Sequence, residues 1–169
     1  MIYRQNYATG DGFDDMIMIS DGEKLTGLLF TGSEDMRKFS LPENETSLPV
    51  FDKTKEWLDE YFCGKIPSFT PDLCVSALSP FQKTVSGIMM GIPYGKTMTY
   101  GEMATIIAKE RGIKRMSARA VGGAVGANPI CIIIPCHRVL GANGAITGYG
   151  GGIKNKENLL KLEKIPFKN

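Results

Sequence analysis

A run of four apolar residues, Cys131-Ile132-Ile133-Ile134, ends at Pro135, and the next two residues are a cysteine and the only histidine of the chain. The run is short and β-branched, so it reads as a buried strand that the proline terminates. Along a continued strand Cys136 and His137 would point to opposite faces. The backbone therefore has to turn at Pro135 if both are to serve one site. A thiol is a strong nucleophile only as thiolate, and an imidazole within direct or water-bridged reach can take its proton. The competing reading is a buried cysteine beside an incidental surface histidine, and the surrounding sequence has to decide between them.

Size and charge narrow the choice. A chain of 169 residues fits one domain, or two small ones sharing a core. No apolar run approaches bilayer length, and Met1-Ile2-Tyr3-Arg4-Gln5-Asn6-Tyr7 lacks the apolar stretch of a secretory signal, so a cytoplasmic protein with no membrane partner is expected. Cys63, Cys74, Cys131 and Cys136 are irregularly spaced in a chain large enough to fold without staples, which predicts free thiols. Their spacing with one histidine matches no usual zinc set, so neither a metal nor a cofactor is expected. Residues 1 to 80 hold 7 Lys/Arg against 14 Asp/Glu, a net of −7, whereas residues 81 to 169 hold 13 against 4, a net of +9. The half with the nucleophile is the half that attracts polyanions, and nucleic acid is the leading partner class.

The acidic part begins as sheet. Met16-Ile17-Met18-Ile19-Ser20 and Lys24 to Phe30 flank Asp21-Gly22 and predict a hairpin. Polar residues with Gly32 and Pro42 predict a loop. Val50, Phe51, Thr54, Trp57, Leu58, Tyr61 and Phe62 then recur at helical spacing, with Gly64 placed to end the helix. Pro67 to Pro71 reads as a connector and Leu73 to Leu78 as a short strand. Near residue 79 the character changes, which divides the chain into an N-terminal domain, 1–78, and a C-terminal domain, 79–169.

The second part is mainly helical. Ser79-Pro80-Phe81-Gln82 forms a capping box with proline at the first helical position, so a helix should run to Met90 and stop at Gly91. Thr99-Tyr100-Gly101-Glu102 is a second capping box, and Met103, Ile106 and Ile107 continue its helix. After a polar connector, Ser117 caps Ala118-Arg119-Ala120-Val121-Gly122-Gly123-Ala124-Val125-Gly126. Each glycine costs a helix about 1 kcal/mol relative to alanine, so three of them need a reason, such as close backbone approach to a partner. Tight packing inside the protein is the competing reason. Arg119 favours the partner, because a long cation suits a helix lying on DNA, as in a helix-turn-helix. Further on, Asn143-Gly144 predicts a tight turn, Thr147 to Gly152 a mobile loop, and Asn155 to Lys164 a final helix with Glu163 near its end.

Taken together, Thr99-Tyr100-Gly101-Glu102, Arg119 to Ala124, Asn128-Pro129, Ile134 to Val139 and Tyr149 to Gly152 resemble the O6-alkylguanine-DNA alkyltransferase family, also called methylated-DNA:protein-cysteine methyltransferases. The likeness runs from about residue 80 to the end. The N-terminal part matches in size and in its hairpin-then-helix outline. The resemblance implies an α+β fold: an N-terminal ribonuclease-H-like sheet domain, then a mainly helical domain carrying a helix-turn-helix. It implies direct reversal of O6-alkylguanine in double-stranded DNA by a monomer that moves the alkyl group irreversibly to Cys136, once per chain, with O4-alkylthymine a second candidate substrate.

By the same resemblance, His137 takes the thiol proton through a water, Glu163 orients the imidazole, and Asn128 ties the turn beside Cys136. Tyr100 donates to the purine ring, the Gly150 N–H supports O6, the Val139 carbonyl accepts from the exocyclic amine, and Tyr149 offers a stacking surface. The target atom is inaccessible inside a duplex, so the nucleotide has to be flipped out. Arg119 resembles the family's finger that fills the gap, and Ala120, Gly122, Gly123 and Ala124 let the second helix lie against the backbone in the minor groove. Two departures stand out. Some members bind a structural zinc through N-terminal cysteine and histidine, which a chain with His137 alone cannot reproduce, and Cys131 stands where a well-known member has proline. Two rival functions remain at this point. A cysteine hydrolase explains Cys136, His137 and Glu163 but leaves Arg119 and the glycine-bearing helix idle; a protein that only marks alkylated DNA does not need Cys136.

Overall fold

The computed structural model describes residues 1–169. Its first sheet is antiparallel, in the order β1 (Tyr3–Tyr7), β2 (Met16–Ser20), β3 (Leu25–Phe30), with Met16 opposite Phe30 and Tyr7 opposite Met16. Every residue of β2 is buried, because both faces of the sheet are covered. Met16, Met18, Leu28 and Phe30 point into the main core. Ile17, Ile19 and Leu29 point the other way, onto Met36, Phe39 and Leu41. A short helix, α1 (Glu34–Lys38), therefore stands where a loop was expected: its Met36 is needed to cover the second face. The register slips between Ile19 and Ser20, and Gly27 is opposite the slip. A Cβ there would meet the Ile19 side chain at 3.1 Å, so glycine lets that side chain lie across β3.

Helix α2 (Pro49–Phe62) starts on a proline and buries Val50, Phe51, Thr54, Trp57, Leu58 and Tyr61, the spacing that predicted it. The strand expected at Leu73 to Leu78 reduces to one bridge between Leu73 and Leu25, because the chain turns away at once. Helix α3 (Pro80–Met90) has the full capping box of Ser79 and Gln82. Helix α4 (Tyr100–Arg111) has that of Thr99 and Glu102 and ends on Gly112 with φ of 64°, a left-handed cap. Helix α5 (Ala118–Gly126), capped by Ser117, packs on α3 and α4 through Val121, Ala124 and Val125. Two short parallel strands, β4 (Met98–Thr99) and β5 (Val139–Leu140), join the start of α4 to the segment after the Cys-His pair. Helix α6 (Ile153–Leu162) closes the fold.

The chain is α+β, with sheet in its first part and helices dominating the second. One apolar core of 28 buried residues takes in Met16, Leu28, Phe51 and Tyr61 together with Val85, Met103, Val121 and Ile130. No helix is long and apolar enough to cross a membrane. Because the core is continuous, thermal unfolding should be a single transition, seen alike by the fluorescence of Trp57, the only tryptophan, and by far-ultraviolet circular dichroism. Leu28→Ala, at a fully buried position, should cost about 2 to 5 kcal/mol and lower both signals together. Two separable midpoints would contradict the shared core.

Candidate active site

The apolar run before Pro135 is buried, but it is a turn and not the expected strand. Its ladder lasts one residue: Leu28 N–H donates to the Pro129 carbonyl and Cys131 N–H to the Leu28 carbonyl, each at 2.9 Å. Asn128 then takes over. Its Oδ1 accepts from Ile130 N–H at 3.0 Å, and its Nδ2 donates to the carbonyls of Ile130 at 3.2 Å and Ile134 at 2.9 Å. These bonds satisfy a buried backbone that no strand pairs, and they hold Ile132 at φ of 68°, unusual for a β-branched residue. Proline then cannot continue the segment. Cys136–Arg138 forms one 3-10 turn, which points Cys136 to a cavity and His137 inward.

His137 is wholly buried, and its surroundings fix which nitrogen holds the proton. Nε2 lies 2.7 Å from Glu163 Oε1, so Nε2 carries the hydrogen and donates it. Nδ1 is buried without a protein partner and is the free acceptor. Burial holds the His137 pKa below its ordinary value, against the pull of Glu163, so the imidazole is neutral near pH 7. Glu163 itself follows α6 and is the most heavily partnered group in the protein. The Tyr61 hydroxyl donates to Oε1 at 2.6 Å, Arg138 Nε donates to Oε2 at 2.9 Å, Arg138 Nη2 donates to Oε1 at 3.0 Å, and Gly95 N–H donates to Oε2 at 3.0 Å. Burial would raise this carboxyl, but the bonds from His137 and Arg138 and the Tyr61 hydroxyl outweigh it and hold the pKa down to about 2. Arg138 is completed by Nη1 donating to the Ile92 carbonyl at 2.7 Å.

On the other side of the turn, Cys136 opens to a cavity of about 470 Å³ lined by Tyr100, Arg119, Gly122, Asn128, Tyr149 and Gly150 among others. The neighbouring Cys131 thiol is the main influence that lowers the Cys136 pKa; burial opposes it, and nearby Asn128, Tyr149 and the charge of Lys156 assist. Cys131 is shifted the opposite way. Lys156 is buried, with Nζ donating to the carbonyls of Val139 at 2.8 Å and Gly148 at 3.2 Å, and desolvation brings its pKa to about 8. Burial also raises the Tyr100 hydroxyl, so that group stays a donor at neutral pH.

The structure thus brings Cys136, Asn128, Tyr100, Tyr149, Gly150, Gly122 and Arg119 to one cavity, with His137 and Glu163 behind it. It does not bring Val139 to the wall: that residue is fully buried and its carbonyl is engaged by Lys156. Ala124 is a correction to the expected DNA face. It is 4% exposed and packs into the core, whereas Ala120 and Gly123 are on the outer side of α5. A helix shows one face outward, so a run of small residues cannot all meet a partner. Four residues were missed: Tyr61, Arg138, Lys156 and Asp35. Only Arg138 carried a local signal, its place directly after Cys136-His137.

Residues 80–165 match the family described as 6-O-methylguanine DNA methyltransferase, DNA binding domain. A methylated-DNA–protein-cysteine methyltransferase of Haemophilus influenzae is 40% identical over 90% of this chain and 82% of its own. One from Methanosarcina mazei is 40% identical over 90% of this chain and 92% of its own. The crystal structure of Mycobacterium tuberculosis O6-methylguanine methyltransferase superposes with a TM-score of 0.78 at 35% identity, covering 97% of this chain and 93% of that one. Mycobacterium tuberculosis OGT in complex with DNA gives 0.78 at 36% identity, with 96% and 92% covered.

Glu163→Gln should destabilise the protein by about 3 to 5 kcal/mol at pH 7, since it strands the buried Arg138 charge. The folded pKa of Glu163 lies below its ordinary 4.5, so its contribution is complete above that value and is lost as pH falls toward 2. The stability gap between wild type and variant, measured by urea denaturation, should therefore shrink by about 3 kcal/mol over that window. A gap independent of pH would contradict the pairing.

Proposed function

The chain belongs to the 6-O-methylguanine DNA methyltransferase family, and on that premise we propose that it repairs DNA by moving the alkyl group of O6-alkylguanine irreversibly onto its own Cys136 sulfur. The observation that carries this reading is a thiol of lowered pKa that opens into a cavity beside an arginine-bearing helix while a buried neutral imidazole stands next to it in the chain. Displacement at a saturated carbon needs a thiolate and stabilisation of the departing oxygen. The thiol proton passes through a water to His137 Nδ1, and the imidazolium so formed is held by Glu163. The sulfur forms its bond to the alkyl carbon as the carbon–oxygen bond breaks, the electron pair moves into the purine, and return of the proton from the imidazolium through water leaves neutral guanine and neutral His137. Tyr100 donates to the ring as that charge develops, and the Gly150 N–H supports O6. The product thioether has no route back to thiol, so each chain reacts once.

DNA meets the outer face of α5. Its Gly123 and Gly126 have no atom within 4 Å of where a Cβ would lie, which argues against tight internal packing as their reason and supports an external partner. Gly122 differs: a Cβ there would touch the Tyr100 ring at 3.8 Å, so glycine keeps the cavity wall clear. Arg119, exposed on the first turn of α5 and lining the cavity, is placed to fill the stack left by a nucleotide flipped from the minor-groove side. Lesions arise in any sequence, so affinity rests on phosphates and shape, with Lys114 and Arg115 exposed in the α4–α5 connection. The protein acts in the cytoplasm as a monomer with no cofactor, with residues 1–78 and 79–169 as two domains. Four free thiols and a chromosomal substrate support the location.

Incubation with an O6-methylguanine duplex should add one methyl group per chain by intact mass and then stop; a hydrolase would turn over and return to its starting mass. Cys136→Ala should take no methyl while still binding the duplex. Arg119→Ala should slow reaction with the duplex at least tenfold more than reaction with free O6-benzylguanine, because only the duplex needs the flip. Equal losses on both substrates would remove the finger role.

A further inference from the structure

One charged group on the cavity wall has no part in the chemistry above. Asp35 of α1 comes from the acidic half of the chain, yet it lines the cavity. Its main-chain N–H donates to the Gly150 carbonyl at 3.1 Å, and a Cβ placed on Gly150 would collide with its carboxylate. The side chain is only 6% exposed. Lys38, half exposed, pairs with Oδ1 at 2.9 Å and also donates to the Gly126 carbonyl at 3.3 Å, while no hydrogen bond within the protein engages Oδ2. The lysine that lines the cavity, Lys156, is turned to the carbonyls of Val139 and Gly148 and makes no bond to Asp35.

A carboxylate withdrawn from water behind a half-exposed partner is a costly way to close a wall, and a neutral side chain of the same size would serve the packing better. What the charge adds is a sign. Gly150 is the residue whose N–H supports O6 in the proposed transfer, so the Asp35 carboxylate adjoins the space taken by the substituent on O6. Because its side chain is nearly withdrawn from solvent, the carboxylate repels a second negative charge strongly and is screened weakly by salt. Resting on that proposed transfer, we propose that Asp35 is a charge filter on the substrate: the site accepts neutral alkyl groups on O6 and discriminates against anionic ones, such as carboxyalkyl groups. Lys38 sets the strength of the filter by partly neutralising it.

The test compares transfer rates from O6-methylguanine and O6-carboxymethylguanine duplexes, followed by intact mass, in wild type, Asp35→Asn and Lys38→Met. Wild type should prefer methyl. Asp35→Asn keeps the shape and removes the charge, so the carboxymethyl-to-methyl rate ratio should rise about tenfold or more. Lys38→Met removes the neutralising partner, so the ratio should fall. Opposite movements of one ratio are not produced by a merely structural role, which would slow both substrates together. A ratio that stays within twofold of wild type in both variants overturns the filter while leaving alkyl transfer intact. If Asp35→Asn does not fold, the direction of the Lys38→Met change decides. A wild-type chain that takes no methyl refutes the transfer itself, and the filter with it.

Discussion

The Glu163 carboxylate is the group on which the rest of the site depends. A charge taken out of water is tolerated only when it is paired and fully hydrogen-bonded, and this one collects donors from three parts of the chain: Tyr61 of α2, Gly95 before β4, and His137 and Arg138 of the reactive turn, while Glu163 itself caps α6. Each partner is thereby fixed relative to the others. Helix α2 cannot shift without breaking the Tyr61 bond to Glu163, nor α6 without leaving Arg138 unpaired in the core. The cooperative unit and the chemical site share one buried knot of charge.

From that knot the chemistry follows by hydrogen-bond logic. Glu163 accepts at Nε2, which leaves Nδ1 as the basic nitrogen, and burial keeps the ring neutral until a proton arrives. The bonds from His137 and Arg138 together keep the carboxylate ionised, and Arg138 adds a permanent positive charge beside it. The second cation, Lys156, acts from the opposite side. Held by two carbonyls and close enough to favour the Cys136 thiolate, it is the kind of field that lowers a thiol pKa in a buried place. One cation thus serves the base and the other serves the nucleophile.

Local signals were legible in the sequence where the physics is local. The capping boxes at Ser79 and Thr99 and the Ser117 cap set the starts of α3, α4 and α5, because capping is decided within four residues. The hairpin and α2 followed from periodicity and turn chemistry. The run before Pro135 reads as a strand because a buried turn and a buried strand share the same apolar composition; what separates them is the Asn128 side chain, whose bonds to Ile130 and Ile134 close the turn. Tyr61 read as one more apolar contact of a helix. Its partner lies 102 residues away, and no spacing rule reaches that far. The same holds for Asp35, acidic among many acidic residues, which only the fold brings beside Gly150.

Since the chain has a single histidine, nitrogen-15 NMR reads the central arrangement without ambiguity. Long-range correlation from the ring carbon protons should show His137 at pH 7 as the neutral tautomer with hydrogen on Nε2 and an unprotonated Nδ1, titrating below the usual histidine range. A ring protonated on Nδ1, or an imidazolium at that pH, would contradict the account, because Nδ1 would then have no lone pair to receive the Cys136 proton.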